Sequence, residues 1–255
     1  GAIDAWIWPR PWSRNHGIGV FHWVGEEAGD CRLLGLDPGG CGEPCGPGEL
    51  CAAGGSCEPV WLDGAEAGTL SVEAPGGTFE LPPDGTGYFT GHYSDDDLPV
   101  ELFDPGDQVT AALSGDVFPA LSGLAARGVA PIDTDLAGTW LPLLDDQDTF
   151  VTWTPGPDPT ACVEVIVKGH NAGHGLPLDA ILHCVTQDSG SLAIPASLVQ
   201  AFPHGEWLGT FDGTACEGMD CLPSELSRFT RHVVQAEPGP VELVVRSTIY
   251  LGWSH

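Results

Sequence analysis

Basic side chains are scarce in this sequence. One lysine (Lys168) and seven arginines stand against 36 acidic side chains, which gives a formal net charge of −28 over 255 residues. A surface with this balance repels a phosphate backbone and an anionic lipid surface. We therefore expect no nucleic-acid partner, and we expect the excess of carboxylates to serve solubility or the loose binding of divalent cations.

Long apolar runs are also missing. No stretch approaches the roughly 18 apolar residues that a bilayer-spanning helix needs, so the sequence predicts no membrane span. The sequence does not open with the basic and then apolar segment of an export signal. Because other features indicate export, we expect a protein whose signal has been removed. A lipid anchor upstream of Gly1 stays open. The closing Trp253-Ser254-His255 matches the start of a common affinity tag and is given no functional weight.

The common enzyme signatures do not occur. The sequence holds no Gly-x-Ser-x-Gly elbow, no phosphate-binding loop, no dinucleotide fingerprint after a strand, no His-Glu-x-x-His and no haem attachment motif. Acids for glycoside chemistry would have to lie about 5–10 Å apart, which sequence spacing does not show. Enzymatic activity is therefore left open, and a non-enzymatic role is favoured.

Nine cysteines, most of them flanked by glycine and proline, indicate a disulfide-bonded protein from an oxidising compartment. Residues 31–60 are predicted to form a small disulfide-rich knot, for which we favour the interleaved pairs Cys41–Cys51 and Cys45–Cys57. A zinc site is the alternative there. Two further pairs are predicted, Cys162–Cys184 between successive strands and Cys216–Cys221 around a tight loop. Cys31 is then the odd cysteine.

The remaining composition is typical of an all-β protein. With 36 glycines and 23 prolines, the chain is interrupted too often for long helices, and its 42% of hydrophobic residues suffice for a core. Alternating segments predict an antiparallel β-sandwich, as one or two Ig-like units. We divide the chain into a first β series at 61–135 and a second at 136–255. In the second series, Val163, Val165 and Val167 are expected on one strand face, with Glu164 and Lys168 on the other.

Helix is expected in two short pieces of the second series. One is Pro195–Phe202, where proline suits the first turn and Pro203 ends the segment. The other is Leu222–Phe229, where apolar residues recur at helical spacing.

The first 30 residues are rich in tryptophan and have no regular period. We interpret this segment as an extended arm whose indoles pack on the body of the protein or bind a partner protein or a sugar. Its candidate binding residues are Trp6, Trp8, Trp12 and Trp23.

Two groups of side chains are candidate metal ligands. Imidazoles on or near a glycine-rich loop, at His170, His174 and His183, suit copper or zinc. A carboxylate run at Asp95, Asp96 and Asp97 suits calcium, with further acids at Asp104, Asp107, Asp145, Asp146 and Asp148. Solvated turns are the alternative for both groups.

Four stretches occur in an order that resembles exported β-sandwich proteins of the myxobacterial type. They are 67–72 (Ala-Gly-Thr-Leu-Ser-Val), 103–109 (Phe-Asp-Pro-Gly-Asp-Gln-Val), 151–156 (Val-Thr-Trp-Thr-Pro-Gly) and 183–198, which begins His-Cys-Val-Thr-Gln-Asp. A cysteine-rich insert like Cys45-Gly-Pro-Gly-Glu-Leu-Cys51 is frequent near the front of such proteins. The resemblance implies a surface protein or lipoprotein and implies no catalytic residues.

Three hypotheses for function follow. The first is a non-enzymatic extracellular surface, appendage or accessory subunit that acts through protein–protein contacts. The second is a carbohydrate-binding or calcium-dependent adhesive module. The third is a copper or zinc enzyme that uses His170, His174 and His183.

Overall fold

The protein is described by a computed structural model that covers residues 2–7, 22–36, 49–52, 56–59, 68–82, 102–116, 119–137, 139–169, 180–202, 224–236 and 240–254. In these ranges the chain is built mostly of strands, nearly all of them paired antiparallel, and has a single short helix. The predicted all-β class is confirmed. No helix in the described ranges is long and apolar enough to cross a membrane.

The elements follow in chain order. They are β1 (Ala2–Ile7), β2 (His22–Ala28), β3 (Cys31–Leu36), β4 (Glu49–Ala52), β5 (Ser56–Pro59), β6 (Leu70–Ala74), β7 (Gly77–Leu81), β8 (Gln108–Leu113), β9 (Leu121–Arg127), β10 (Trp140–Pro142), β11 (Thr149–Thr152), β12 (Cys162–Gly169), β13 (Ala180–Gln187), β14 (Ser191–Ile194), α1 (Ala196–Ala201), β15 (Ser224–Gln235) and β16 (Pro240–Ser254).

Eight strands form the large sheet. Its order is β1-β16-β15-β12-β13-β3-β2, and β10 is added in parallel beside the end of β16. Four strands form a companion sheet in the order β7-β6-β8-β9, while β11 pairs with β14 and β4 pairs with β5. The predicted N-terminal arm therefore contributes β1 and β2, which lie at the two outer positions of the large-sheet path.

One face of the large sheet, here called the core face, carries most of the buried apolar side chains. On β12 the core face receives Val163, Val165 and Val167, as the alternation predicts. Most of the buried apolar side chains on this face belong to the largest apolar cluster, here called the main cluster. From the small β11–β14 sheet the main cluster includes Val151, Leu192 and Ile194. From α1 and its C-terminal end it includes Leu198, Val199 and Phe202. The small sheet and the helix thus cover the central strands.

The companion sheet forms a second apolar cluster against the hairpin of β15 and β16. Leu70, Val72, Val109 and Leu124 from its strands pack with β16, through Val241, Leu243 and Val245. Farther along β16, Leu251 and Trp253 belong to the main cluster. The β15–β16 hairpin, with 12 register pairs, therefore runs through both apolar clusters.

Side chains of β15 satisfy backbone groups of β9, the outer strand of the companion sheet. His232 Nδ1 accepts from the Ala125 N–H at 3.1 Å. The Thr230 hydroxyl accepts from the Arg127 N–H at 3.2 Å and donates to the Arg127 carbonyl. These bonds protect polar groups that a sheet edge otherwise leaves to water.

The helix predicted at Pro195–Phe202 is confirmed as α1. Pro195 precedes the helix in extended conformation, and Phe202 ends it. Asp148 accepts a hydrogen bond from the Ala196 N–H at 3.0 Å, which satisfies a donor of the first turn. Its buried residues, Leu198 and Val199, face the main cluster.

The helix predicted at Leu222–Phe229 is wrong. From Ser224 onward the segment is strand β15, which pairs with β12 on one side and β16 on the other. Backbone pairing on both sides outweighs a helical spacing of three apolar residues, since helix propensity is a weak preference. Leu226 lies on the core face, whereas Phe229 has the opposite strand parity.

The predicted disulfide between Cys162 and Cys184 is also wrong, because Cys184 bonds to Cys31 and Cys162 is a free thiol. Cys31 and Cys184 are direct register partners on neighbouring strands. Cys162 is opposite Gln187, while Cys184 is opposite Val165. Cys31, which was predicted to be the unpaired cysteine, thus forms the disulfide. Because side chains alternate between the two faces of a strand, Cys162 lies on the other face of the sheet. The pairs predicted among Cys41, Cys45, Cys51 and Cys57, and between Cys216 and Cys221, rest on side chains outside the described part.

Trp253 is a structural residue, which corrects its dismissal as part of a tag. Its ring meets Phe202 edge to face, with centroids 5.2 Å apart. Its Nε1–H donates to the Lys168 carbonyl at 2.9 Å.

A buried ion pair between Arg228 and Asp188 joins several segments of the core face. Both side chains are 2% exposed, and Arg228 Nε lies 2.8 Å from Asp188 Oδ2. The guanidinium also donates to the carbonyls of Ala130, Pro131 and Thr154. Asp188 accepts in turn from Trp153 Nε1 at 2.6 Å and from the Gly156 N–H at 2.8 Å. Five donors of one arginine are thereby matched to acceptors on three segments.

Arg228→Met should lower the free energy of unfolding by about 3–5 kcal/mol, because it leaves the buried Asp188 carboxylate and the carbonyls of Ala130, Pro131 and Thr154 without their arginine donor. Chemical denaturation followed by far-UV circular dichroism measures the change. The matched control is Arg231→Met on the same strand, where the arginine is 61% exposed and 3.5 Å from Glu242. It should cost at most about 1 kcal/mol. Equal losses in the two variants would contradict the role given to Arg228.

Candidate functional site

Charged side chains gather on the face of the large sheet that is turned away from the main cluster, here called the opposite face. They follow from strict alternation, since each occupies the strand position between core-facing residues. We name this group the polar strip; its members are Arg32, Glu164, Lys168, His183, Glu225 and Arg246. Its centre is buried, with Glu164, Lys168 and His183 each 5–6% exposed. Leu34, Ile166 and Ile181 are buried on the same face.

His183 connects the strands at the centre of the polar strip. Its Nδ1 lies 3.0 Å from Arg32 Nε and 2.8 Å from Arg32 Nη2. Its Nε2 lies 2.7 Å from Glu164 Oε1. Arg32 is the register partner of His183, and Glu164 stands diagonally across on β12. One imidazole therefore links β3, β13 and β12.

Hydrogen-bonding capacity assigns the tautomer of this histidine. A guanidinium only donates, so Nδ1 must accept and carries no proton. Nε2 then carries the proton and donates to the Glu164 carboxylate. In this arrangement the imidazole is neutral and lies between the cationic Arg32 and the anionic Glu164, with one ring nitrogen hydrogen-bonded to each.

A second set of charges lies toward β16. Lys168 Nζ is 2.5 Å from Glu225 Oε1, and Arg246 Nη1 is 3.7 Å from Glu225 Oε2. Next to them, the hydroxyls of Ser227 and Thr248 are 2.8 Å apart. The carboxylate of Glu225 is thus held between two cations on neighbouring strands, which fixes its position.

The arrangement cross-links strands rather than presenting a reactive group. Every member of the polar strip has a charged or imidazole partner within the strip. Buried charges are tolerated when they are paired in this way, and removing one partner is costly. The chemistry that the strip supplies is therefore internal neutralisation and orientation.

The copper or zinc hypothesis receives a partial answer. His183 lies in the polar strip with both ring nitrogens in hydrogen bonds to Arg32 and Glu164. His170 and His174 fall outside the described residues, so their part in a metal site stays a prediction. Within the described ranges, no group of three or more His, Cys, Asp or Glu side chains is arranged to hold a metal ion.

The calcium hypothesis is only partly covered, since Asp95, Asp96 and Asp97 also lie outside the described residues. Asp107 accepts from the Asp104 N–H at 2.8 Å, as in a tight turn. Asp148 caps α1. These described acids thus have local structural partners.

The tryptophan-rich segment is described at the backbone only. Trp6 belongs to β1, opposite Glu242 of β16, and Trp23 belongs to β2, opposite Gly35 of β3. Trp8 and Trp12 lie outside the described residues. The binding role predicted for these four tryptophans stays a prediction.

Sequence reasoning missed a pair of exposed aromatic residues beside the polar strip. Tyr250 is 62% exposed and Trp140 is 38% exposed. The position of Tyr250 could have been predicted from the sequence, because it lies on the same strand face as Arg246 and Thr248, at every second residue of the last strand. Trp140 had no such pattern, since a strand of three residues that adds in parallel to β16 leaves no recognisable period.

The free thiol of Cys162 lies on the opposite face, where Gln187 Nε2 approaches its sulfur at 3.5 Å. Burial raises the pKa of the Cys162 thiol, and the nearby Asp188 adds to this while Arg231 counteracts it. A raised thiol pKa means less thiolate at any given pH.

No protein-family model matches the chain, and no curated protein matches it. The site is therefore interpreted from its own geometry.

Glu164→Met should destabilise the protein by about 1–3 kcal/mol, because the Nε2–H of His183 is left buried without an acceptor. Glu164→Gln is the matched control, since its amide oxygen can still accept and its cost should be clearly smaller. Denaturant unfolding of both variants measures the difference. Equal stability of the Met variant and the wild type would show that the Glu164–His183 bond does not hold the strands.

Cys162 should react slowly with iodoacetamide at neutral pH and faster as the pH rises, with its midpoint above that of the same cysteine in urea-unfolded protein. The direction follows from the raised thiol pKa in the folded chain. Mass spectrometry of the Cys162 peptide across a pH series measures the rate. A midpoint at or below that of the unfolded chain would contradict the burial of this thiol.

Proposed function

We propose that this chain is a non-enzymatic extracellular subunit, of a surface structure, an appendage or an accessory complex, that acts through protein–protein contacts of its N-terminal segment. The supporting observation is the position of β1. It is the outer strand beside β16, and in the described part of the chain no strand lies on its other side. An outer strand offers unpaired N–H and C=O groups to which another chain can add a strand.

The internal pairing of the buried charges supports a scaffold role. His183, Glu164, Lys168 and Arg228 are all partnered inside the protein. Such networks hold a sheet in one arrangement when every member is satisfied. A rigid sheet with contact residues at its margin suits an assembly subunit.

The extracellular address is part of the same proposal. The Cys31–Cys184 disulfide supports an oxidising compartment. The net charge of −28 favours solubility. The resemblance to exported surface proteins and lipoproteins of the myxobacterial type agrees with this address.

We also propose that the companion sheet and the large sheet form a β-sandwich. The proposal is supported by the cluster that joins Val72 and Leu124 of the companion sheet to Leu243 of the large sheet. Apolar faces of two sheets in contact are the basis of that architecture.

Removal of residues 1–7 tests the assembly role. The full chain, isolated without reducing agent from cells that export it, should show by light scattering a mass above that of a 26.6 kDa monomer. The truncated chain should be a folded monomer, because β16 keeps its 12 register pairs with β15 after β1 is lost. Circular dichroism checks folding.

The matched control is Phe150→Ala, which removes a 65% exposed aromatic side chain from β11, outside the N-terminal segment. This variant should assemble like the wild type. Identical mass distributions for the full and truncated chains would refute the proposal.

A further inference from the structure

The one lysine of the chain is in buried contact with a carboxylate. The side chains of Lys168 and Glu225 are 7% and 14% exposed, and Lys168 Nζ lies 2.5 Å from Glu225 Oε1. The backbone of Lys168 is held as well, because its N–H donates to the Ser224 hydroxyl at 3.1 Å and its carbonyl accepts from Trp253 Nε1 at 2.9 Å. The amine nitrogen and the carboxyl group are thus kept in contact within the large sheet.

Lysine is a distinctive choice at this position. All seven other basic side chains of the sequence are arginines, and the buried cation of the core face is Arg228. Arginine suits a buried ion pair better, since its planar guanidinium makes several hydrogen bonds at once and keeps its proton. A lysine amine can give up its proton and then act as a nucleophile. The single lysine therefore stands where an amine can react with a carboxyl group.

We propose that Lys168 and Glu225 condense to form an intramolecular isopeptide bond. A proton passes from the ammonium group to the carboxylate, and the free amine attacks Cδ of Glu225. The Nζ–Cδ bond forms and the Cδ–Oε1 bond breaks. Oε1 leaves as water with two of the three ammonium protons, and the third stays on the amide nitrogen. The reaction is a dehydration without a change of oxidation state, so it needs no oxidant, reductant or cofactor.

The two cations beside Glu225 contact different oxygens of its carboxyl group. Lys168 contacts Oε1, whereas Arg246 Nη1 is 3.7 Å from Oε2. When the amine adds to Cδ, negative charge develops on the oxygen that stays, and a fixed cation next to that oxygen stabilises the charge. The oxygen that takes up protons is the one already hydrogen-bonded to the amine. Oε1 is thus placed to leave, and Oε2 is placed to become the amide carbonyl.

Fixed contact and burial favour the amide. In dilute solution an amine and a carboxylic acid do not condense appreciably, because water competes for the acyl group. Groups held together in one molecule react with effective concentrations on the order of 10⁵–10⁸ M. The low exposure of both side chains limits the return of water, while the 14% exposure of Glu225 leaves a route by which the released water departs.

The isopeptide bond extends the covalent linkage of the large sheet. The disulfide joins β3 to β13, and the isopeptide bond joins β12 to β15 across 57 positions of the sequence. Since β13 and β12 are neighbours, four consecutive strands are held by two covalent links, of which only the disulfide is reducible. The N-terminal segment takes no part, so the inference is independent of the proposed assembly contact.

The intact mass of the full chain tests the proposal. Protein isolated from cells that export it, then reduced and denatured, should be lighter by one water than the sum of its residues. A protease that cuts before aspartate releases Lys168 in fragment 158–178 and Glu225 in fragment 220–255. These two fragments should appear as one linked species. Trypsin should leave the chain uncut after Lys168, because the amide removes the charge that trypsin recognises.

Lys168→Arg is the matched control, since arginine keeps a cation beside Glu225 and its guanidinium does not form the amide. This variant should have its full mass and release the two fragments separately. Circular dichroism checks its folding, and Lys168→Met takes its place if the arginine is not accommodated. A folded wild-type chain of full mass would overturn the proposal without reference to any variant. A missing water that maps outside the linked fragments would overturn it as well.

Discussion

The ion pair between Arg228 and Asp188 is the interaction on which the arrangement of the large sheet depends. A guanidinium buried to this extent must have every donor matched, and here its acceptors come from the segments around Ala130, Thr154 and Asp188. The segments at Thr154 and Asp188 adjoin β11 and β14, which cover the core face, and the segment at Ala130 precedes β10 of the large sheet. Because Arg228 sits on the long β15–β16 hairpin, it fixes those connections to the part of the sheet that lies between the two apolar clusters.

The charge pairs on the opposite face reflect the small number of basic side chains in this protein. Four of the eight basic side chains, Arg32, Lys168, Arg231 and Arg246, face that side of the large sheet and each pairs with a carboxylate or, for Arg32, with His183. In a chain with net charge −28, cations are concentrated where buried carboxylates require neutralisation. Toward the end of β16 the side chains of this face become exposed, as at Tyr250.

Local patterns were predictable wherever a short stretch of chain dictates its own structure. The valines of β12 and the helix after Pro195 were both predicted, since each depends on alternation or on helix-end chemistry within a few residues. The segment at Ser224 was assigned to helix because Leu222, Leu226 and Phe229 recur at helical spacing. Its conversion to strand required two neighbours, β12 and β16, that are distant in sequence.

The sequence alone determined the all-β class, the need for covalent linkage and the unfavourable electrostatics toward nucleic acid, because composition, alternation and net charge are properties of the chain itself. Tertiary structure decided that Cys31 rather than Cys162 meets Cys184, that His183 bridges Arg32 and Glu164, and that Trp140 rests on Gly252. Each of these contacts depends on strand order and register. Those are set by packing among residues up to 153 positions apart, which no local pattern encodes.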